Sequence, residues 1–429
     1  MSGEDRFDVI VVGAGPAGSV CAYSLAREGK AVLLVERGDI AGGKNVSGGR
    51  LYTHALRVLG DELAWEAQVE RRVTHEQLMI LAGERSCLLE YHDPSFNKEG
   101  DVPHSYTVLR AVLDAWLAGR AEEAGAVLAC GIKVDNIIEK DGRVIGIRAG
   151  EDEVYGEVVI AADGVNSLLA QKAGLVSEIQ PHNVAVGVKE IIELPAKVIE
   201  ERFGLREGEG AALLILGCTQ GAKGGGFLYT NKESISLGCV VSPEEVARQG
   251  KPVHRLLQEL KLHPAVLPLI QGGKTVEYSA HLVSEAGYRG VPAKLYRHGF
   301  LVIGDAAGLV MNLGYTIRGM DLAILSGVAA ARAVLGEDKP ELIGPAYMRE
   351  LENLQVLPAM RAARGYVDFL DNPRLYRQYP DLAVGIFRKL FTVEGGVQRG
   401  IKAQLMETIK ESGISLWDVI KDGLRGLRL

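Results

Sequence analysis

The chain has 429 residues, is 47% hydrophobic and 24% charged, and carries a net charge of −7. That length supports two or three packed units, the composition excludes a collagen-like or low-complexity chain, and the acidic balance argues against general nucleic-acid binding. No stretch approaches the roughly 18 apolar residues of a membrane-spanning helix, and the N-terminus has no basic leader ahead of an apolar core, so neither a span nor a signal peptide is expected.

Residues 7–12, FDVIVV, are the short β-branched run of a buried parallel strand. GAGPAG follows at once and places Gly13, Gly15 and Gly18, with Pro16 and Ala17 between them. SVCAYSLAREGK has helical apolar spacing, and AVLLVER is a second strand that ends at Glu36 and Arg37. This is a complete βαβ unit with a dinucleotide fingerprint. Gly13 permits the tight turn, Gly15 lets a pyrophosphate approach the helix N-terminus, and Gly18 lets helix and strand pack closely. Glu36 is placed to accept hydrogen bonds from a ribose diol. The motif alone does not separate FAD from NAD; its position at the start of the chain favours a tightly held FAD.

TVLRAVLDAWLAGRAEEAGA (107–126) reads as an amphipathic helix with Leu109, Leu113, Trp116 and Leu117 on one face. Arg110 stands in its first turn, where the helix dipole disfavours a cation, so a nearby phosphate explains it better than a surface salt bridge does. VLACGIKVDNIIEKDGRVIGIRA alternates strand, turn and strand, with DGR as a hairpin turn. EVVIAADGVNSLLAQKAG (157–174) gives a buried strand ending at Asp163 and Gly164. GCTQGAKGGGFLYTNKESISLGCVV (217–241) reads as loop, strand, turn and strand. Its Gly224, Gly225 and Gly226 set bare backbone beside Phe227, Leu228 and Tyr229. Two readings stand there: a glycine bulge entering a strand, or an apolar slot whose amides meet the carbonyl oxygens of a ligand.

GFLVI is a further buried strand, ending at Gly304 and Asp305. A plain turn accounts for each such strand end taken singly. The series of them, each opening onto a helix, points to a ligand at the carboxyl ends of a doubly wound sheet. Arg318 and Asp321, at i and i+3 near the start of the last of these helices, read as a structural salt bridge, with tuning of a bound cofactor as the alternative.

YPDLAVGIFRKLFTV (379–393) puts Leu382, Ile386, Phe387, Leu390 and Phe391 at helical spacing beside Arg388 and Lys389. It suits a core-facing helix or a membrane interface equally. The tail ISLWDVIKDGLRGLRL is similarly apolar and basic, fit for lipid, for a partner subunit or for capping the fold. The five cysteines, Cys21, Cys87, Cys130, Cys218 and Cys239, stand far apart in the sequence with no CxxC. Reduced thiols of a cytosolic protein are expected, and neither zinc nor an iron–sulfur cluster on this chain. His54, His75, His92 and His104 show no metal-ligand spacing.

The GAGPAG start, Arg110, the Ala162-Asp163-Gly164 turn and Gly304-Asp305 resemble the glutathione-reductase-type FAD fold of class A hydroxylases and geranylgeranyl reductases. The resemblance implies that Asp305 holds ribityl or ribose hydroxyls. It also implies that amides from Leu313 to Gly319, including those at Gly314, Thr316 and Ile317, face the flavin O2, where reduced flavin gathers negative charge. AGGKNVSGGRLYTHAL (41–56), with Lys44, Asn45 and Ser47, and NLGYTIRGMDLA resemble the FixC (EtfC) proteins. These are bacterial and archaeal relatives of electron-transfer-flavoprotein:quinone oxidoreductase, and the resemblance covers essentially the whole chain.

It implies one FAD, an electron-transfer flavoprotein pair of the FixA/FixB (EtfA/EtfB) type and a small ferredoxin-like iron–sulfur subunit of the FixX (EtfX) type. The role implied is the downhill branch of NADH-dependent electron bifurcation, ending at membrane quinone from a peripheral, monotopic position on the cytoplasmic face. The mitochondrial relative carries its iron–sulfur cluster on the same chain. The scattered cysteines depart from that pattern, so the cluster is expected on another subunit. A similar glycine stretch lines the quinone site of that relative, which implies the same for Gly224, Gly225, Gly226 and Phe227.

The expected fold is α/β: a Rossmann-type FAD domain from residues 1–75, 105–175 and 290–335, an antiparallel substrate domain from 76–104 and 176–289, and a helical region over 336–429. The competing readings are an isoprenoid reductase of the geranylgeranyl type, an aromatic hydroxylase using NADPH and O₂, and a membrane-anchoring subunit without quinone turnover. No catalytic acid is evident.

Overall fold

A computed structural model describes residues 6–43, 49–97, 100–393, 395, 397 and 399–429. Val9, Ile10 and Val11 are wholly enclosed, as a strand covered on both faces requires. Their strand, Arg6–Val12, runs parallel to Asp152–Ala161 on one side and to Val32–Val35 on the other. Phe300–Val302 and Val127–Ala129 extend the parallel order outward. Asn136–Lys140 and Arg143–Ala149 form the hairpin expected at DGR. Asp141 and Gly142 both take positive φ, the conformation that a two-residue turn between twisted strands needs.

Helix Pro16–Arg27 packs between Arg110–Glu123 and Met320–Gly336. Met320–Gly336 is apolar around nearly its whole circumference and almost entirely buried. It approaches Pro16–Arg27 so closely that a Cβ on Gly327 would overlap the carbonyl oxygen of Ala17. Tyr347, fully buried, donates from its hydroxyl to Val302 O at 2.9 Å and ties the following helix to the end of the sheet.

The second sheet runs in the order Lys274–Ser284, Val184–Glu193, Ser234–Val241, Gly224–Thr230, Glu209–Leu216, Arg72–Ala82, Ser105–Thr107, Arg50–Tyr52. It is antiparallel except where Glu209–Leu216 lies parallel to Arg72–Ala82. One face is sealed by the helices Ala196–Phe203 and Val253–Leu262 over a core that includes Leu213, Leu228, Leu237 and Leu256. The other face looks toward the dinucleotide sheet. Arg50–Tyr52 and Ser105–Thr107 fall in segments expected to build the FAD domain, yet they pair here. Strands of three residues carry no readable periodicity, so their partners decide where they lie.

The C-terminal region is helical from Pro340–Asn353 onward. In Tyr379–Phe391, Leu382 faces inward together with Val384, while Phe387 and Phe391 stack on each other in solvent. Lys389 pairs with Glu407 and Glu411 of the next helix. The apolar cluster expected on one side of this helix is therefore divided between the core and the surface. We expect Gly327→Ala to destabilise the protein by about 1–3 kcal/mol, because the two helices must separate to admit the methyl group. The measurement is the midpoint of urea or thermal unfolding, and an unchanged midpoint would show that the contact is not limiting.

Candidate active site

The carboxyl ends of the parallel strands lie level with one another. Gly13 N donates to Val35 O, Ala162 N to Val12 O, and Ile303 N to Ala161 O, at 2.7 to 2.9 Å. Each chain turns immediately beyond that line, so the side chains of Glu36, Asp163 and Asp305 and the first amides of helix Pro16–Arg27 meet at the mouth of one cavity of about 730 Å³. Gly13 turns at φ +110°, and a Cβ there or on Gly18 would strike backbone.

Both Glu36 oxygens already accept backbone amides, from Ala14 at 2.9 Å and Gly38 at 2.7 Å. These bonds fix the carboxylate and leave lone pairs for hydroxyl donors. Asp163 accepts from Leu169 N at 3.0 Å through Oδ2, while its Oδ1 is buried with no hydrogen-bond partner. Burial raises the pKa of Asp163. Asp305 is likewise raised by burial, against the opposing pull of Arg110 and His281. Gly304 N is held by the buried Ser326 hydroxyl at 2.9 Å, and Ser167 donates to Ala306 O at 2.7 Å, which locks the two acidic turns together.

Arg110 forms a two-pronged pair with the fully buried Asp114 at 2.7 and 2.6 Å, within the cavity wall. That burial excludes a surface salt bridge, and the pair orients the guanidinium. A glycine cradle, a row of carboxylates, a buried cation and an orphaned carboxylate oxygen fit an elongated dinucleotide with two phosphates and several hydroxyls.

Of the residues expected to hold cofactor, Gly13, Gly15, Pro16, Ala17, Glu36, Arg37, Arg110, Asp163, Gly164, Gly304, Asp305, Gly314 and Ile317 border this cavity. Gly18 does not; it serves the helix–strand contact. Thr316 does not border it either. Its hydroxyl meets Tyr52 and its carbonyl accepts from Leu313 N at 2.9 Å. Lys44, Asn45 and Ser47 lie outside the described residues. Arg318 pairs with the buried Asp321 at 2.6 Å, off the cavity.

The opposite wall is the free face of the second sheet. Gly224, Gly225, Gly226 and Phe227 all border the cavity. Gly226 is paired on both edges, and Gly224 and Gly225 are paired to Val241 and Val240. What the stretch supplies is room. A Cβ on Gly226 would press on Leu260 and Cys218 in the core, so by alternation Gly225 and Phe227 face the cavity. Phe227 stacks on Tyr229 at 5.3 Å, and Tyr229, which also lines the cavity, has its phenol pushed up to about 12 by burial.

Sequence reasoning missed several cavity residues. Arg50 sits within 4.7 Å of the Tyr52 ring and is bonded to Glu76 at 2.7 Å and to Ser105. Lys189 and His281 come from neighbouring strands, and Leu370, Pro373 and Tyr376 from the C-terminal helices. A lysine at an alternate position of the apolar run VAVGVKEIIE was the available signal for Lys189. The histidines and cysteines also regroup on folding. His75 and His92 stack across a hairpin at 4.1 Å, and their ligand atoms lie within 4.8 Å of those of Glu209. The rings are only 11° from parallel, so their lone pairs run side by side rather than converging on a metal. Cys218 and Cys239 share a hydrogen bond in the core, which with burial raises the Cys239 thiol.

A dinucleotide cradle facing an apolar sheet across one cavity defines an FAD-dependent oxidoreductase, and residues 8–180 match the family model described as FAD dependent oxidoreductase. Residues 184–283 match the model described as ETF-QO, ubiquinone-binding, and 366–429 match the ETF-QO/FixC family C-terminal domain. The chain belongs to the FixC and electron transfer flavoprotein-quinone oxidoreductase family. It is 48% identical to Protein FixC of Escherichia coli and 45% identical to the probable electron transfer flavoprotein-quinone oxidoreductase YdiS of the same organism, over 99% of each chain in both cases.

Among solved structures, a geranylgeranyl bacteriochlorophyll reductase-like protein from Thermoplasma acidophilum aligns with TM-score 0.71 at 20% identity, over 95% of this chain and 96% of that one. The myxobacterial chondrochloren halogenase CndH aligns with TM-score 0.63 at 20% identity, over 95% and 97%. Likeness at that identity speaks to the fold alone.

Asp305→Asn should have opposite effects on the two states of the protein. Removing a charge that burial disfavours should raise the unfolding midpoint of the FAD-free protein at pH 7. The loss of a charged acceptor should weaken FAD binding about tenfold. Unfolding curves and flavin titration of the same preparations check both directions.

Proposed function

We propose that this chain takes electrons from an electron-transfer flavoprotein, through a ferredoxin-like iron–sulfur subunit, and reduces membrane quinone as the downhill branch of NADH-dependent bifurcation. The observation that carries this reading is the shared cavity: carboxylates and helix amides fit for a dinucleotide on one wall, and Gly225, Phe227 and Leu214 fit for an apolar ring on the other. FAD, when bound, collects single electrons and releases them in pairs.

This chain's own groups would hold and orient it. Gly15 and the amides of helix Pro16–Arg27, together with Arg110, would meet the phosphates. Glu36 and Asp305 would accept from hydroxyls, and Asp163 Oδ1 would gain the partner it lacks. The matched ubiquinone-binding segment, 184–283, supplies much of the apolar wall, which supports a quinone there. The reading places the iron–sulfur carrier on a separate subunit, since the cysteines of this chain have no CxxC spacing.

Access to a lipid-borne substrate fits a peripheral position. No helix among the described residues is long and apolar enough to cross a membrane. Helix Leu416–Gly426 is instead built inside out. Asp422 is buried and clamped by Arg374 at 2.7 and 2.9 Å and by Tyr379 at 2.8 Å, while Trp417, 72% exposed, and Leu424 face outward. Lys421, Arg425 and Arg428 accompany that apolar face, as an interfacial helix on an anionic bilayer requires.

The decisive assay is NADH-dependent reduction of a menaquinone or ubiquinone analogue by the co-purified complex, with and without this chain. Quinol should form only with the chain and its FAD present. Reduction of its FAD without quinol from any quinone would defeat the reading in favour of an isoprenoid reductase or an anchoring subunit. Gly225→Val should keep FAD content while raising KM for the quinone analogue at least about tenfold, since the side chain enters the slot. Trp417→Glu should release the protein from anionic vesicles in a flotation assay and leave reduction of a water-soluble quinone analogue intact.

A further inference from the structure

Lys189 is 4% exposed, at the middle of strand Val184–Glu193. Its neighbours define its direction. Val188 packs in the core beneath the sheet, and Glu190 is held by Gln258 and Lys261 of the covering helix at 2.8 and 2.6 Å. Lys189 therefore faces the opposite way, into the cavity that it lines. The pairing sets it beside Gly238 and Ser279. Gly238 has no room for a Cβ because the Phe227 ring lies over it, so the lysine stands next to the aromatic wall of the slot.

Among the described residues Nζ makes no hydrogen bond and no ion pair. With Glu277 the only opposite charge acting on it, an ammonium this deeply set in the cavity wall is costly, and such groups are candidates for contact with a ligand or for proton transfer.

We propose that Lys189 is the acid that delivers a proton to a carbonyl oxygen of the acceptor during its reduction; this rests on the quinone reading of the cavity. The acceptor needs two electrons and two protons to become quinol. Bound FAD, once reduced, would supply both electrons and one of these protons. Lys189 gives the other proton, forming the O–H bond as its own N–H bond breaks, and the neutral amine regains a proton from water. The charged groups that act on it are Glu277 on the adjoining strand and Arg110; His281, farther along that strand, and Asp305 line the same cavity.

Burial draws the ammonium down to about 8, with Glu277 opposing and Arg110 adding to the shift. Below that pH the proton is present to be given. Above it the amine is neutral and the step slows.

The test is stopped-flow reoxidation of pre-reduced FAD by a ubiquinone analogue in the full complex, from pH 6 to 10. It compares wild type, Lys189→Met and Lys189→Arg, with FAD content and analogue binding measured on each. Wild type should slow above about pH 8. Both variants should bind FAD, yet reoxidise about 100-fold or more slowly at pH 7, without that fall-off. Arginine keeps the charge but does not release its proton, so a Lys189→Arg rate within twofold of wild type would overturn the proposal.

A pH series of acetic anhydride labelling at Lys189, read by peptide mass spectrometry on the FAD-loaded chain without acceptor, gives a readout independent of turnover. A midpoint near pH 8 is expected, and the ordinary lysine value would sink the acid role. If wild type makes no quinol, the quinone reading falls and this proposal with it. If wild type makes quinol and Lys189→Met matches it at every pH, only the proposal falls.

Discussion

Helix Met320–Gly336 lies against helix Pro16–Arg27 with Gly327 facing the Ala17 carbonyl and no space for a methyl group between them. That contact fixes the separation of two helices whose N-termini both open on the cavity. It also fixes the loops before them: Gly304, next to Asp305, touches Ala17 as well, and Ser326, one residue from Gly327, holds the Gly304 amide. The level strand ends can place carboxylates and amides around one ligand only because these helices cannot drift apart.

The cavity so formed is electrically expensive. Asp163 and Asp305 are both held where burial disfavours their charged forms, and Lys189 is held where burial disfavours its own. Opposite charges across the space offset part of this, Arg110 against Asp305 foremost. The remainder is a cost that a bound dinucleotide, placed as proposed, would relieve on the acidic side by donating hydroxyls and filling the space. The empty protein and the loaded protein therefore differ in stability as well as in chemistry.

The dinucleotide half was legible in the sequence because its signals are local. A glycine turn, a strand end and a helix start within a few residues of one another define each loop, and positive φ at Gly13 and Gly304 needs no distant partner. The facing sheet was less legible. Gly225 and Phe227 were visible as a motif, but which face each takes depends on pairing with Val240 and Gly238. Arg50 and Glu76 meet through two strands far apart in the chain, and His75 finds His92 only once the hairpin closes. The C-terminal helices carry amphipathic patterns, but no pattern says that Leu370 will cover Gly314.

The last helix reaches the rest of the molecule through its buried acid. Asp422 is gripped by Arg374, at the start of the turn that carries Tyr376, and Tyr376 donates to Leu370 O at 2.7 Å. Pro373, Tyr376 and Leu370 all form cavity wall. The outermost helix and the cavity wall are thus joined by a short series of hydrogen bonds. A surface that seizes Trp417 and Leu424 would also set the position of that wall, so anchoring and substrate entry would be one mechanical event.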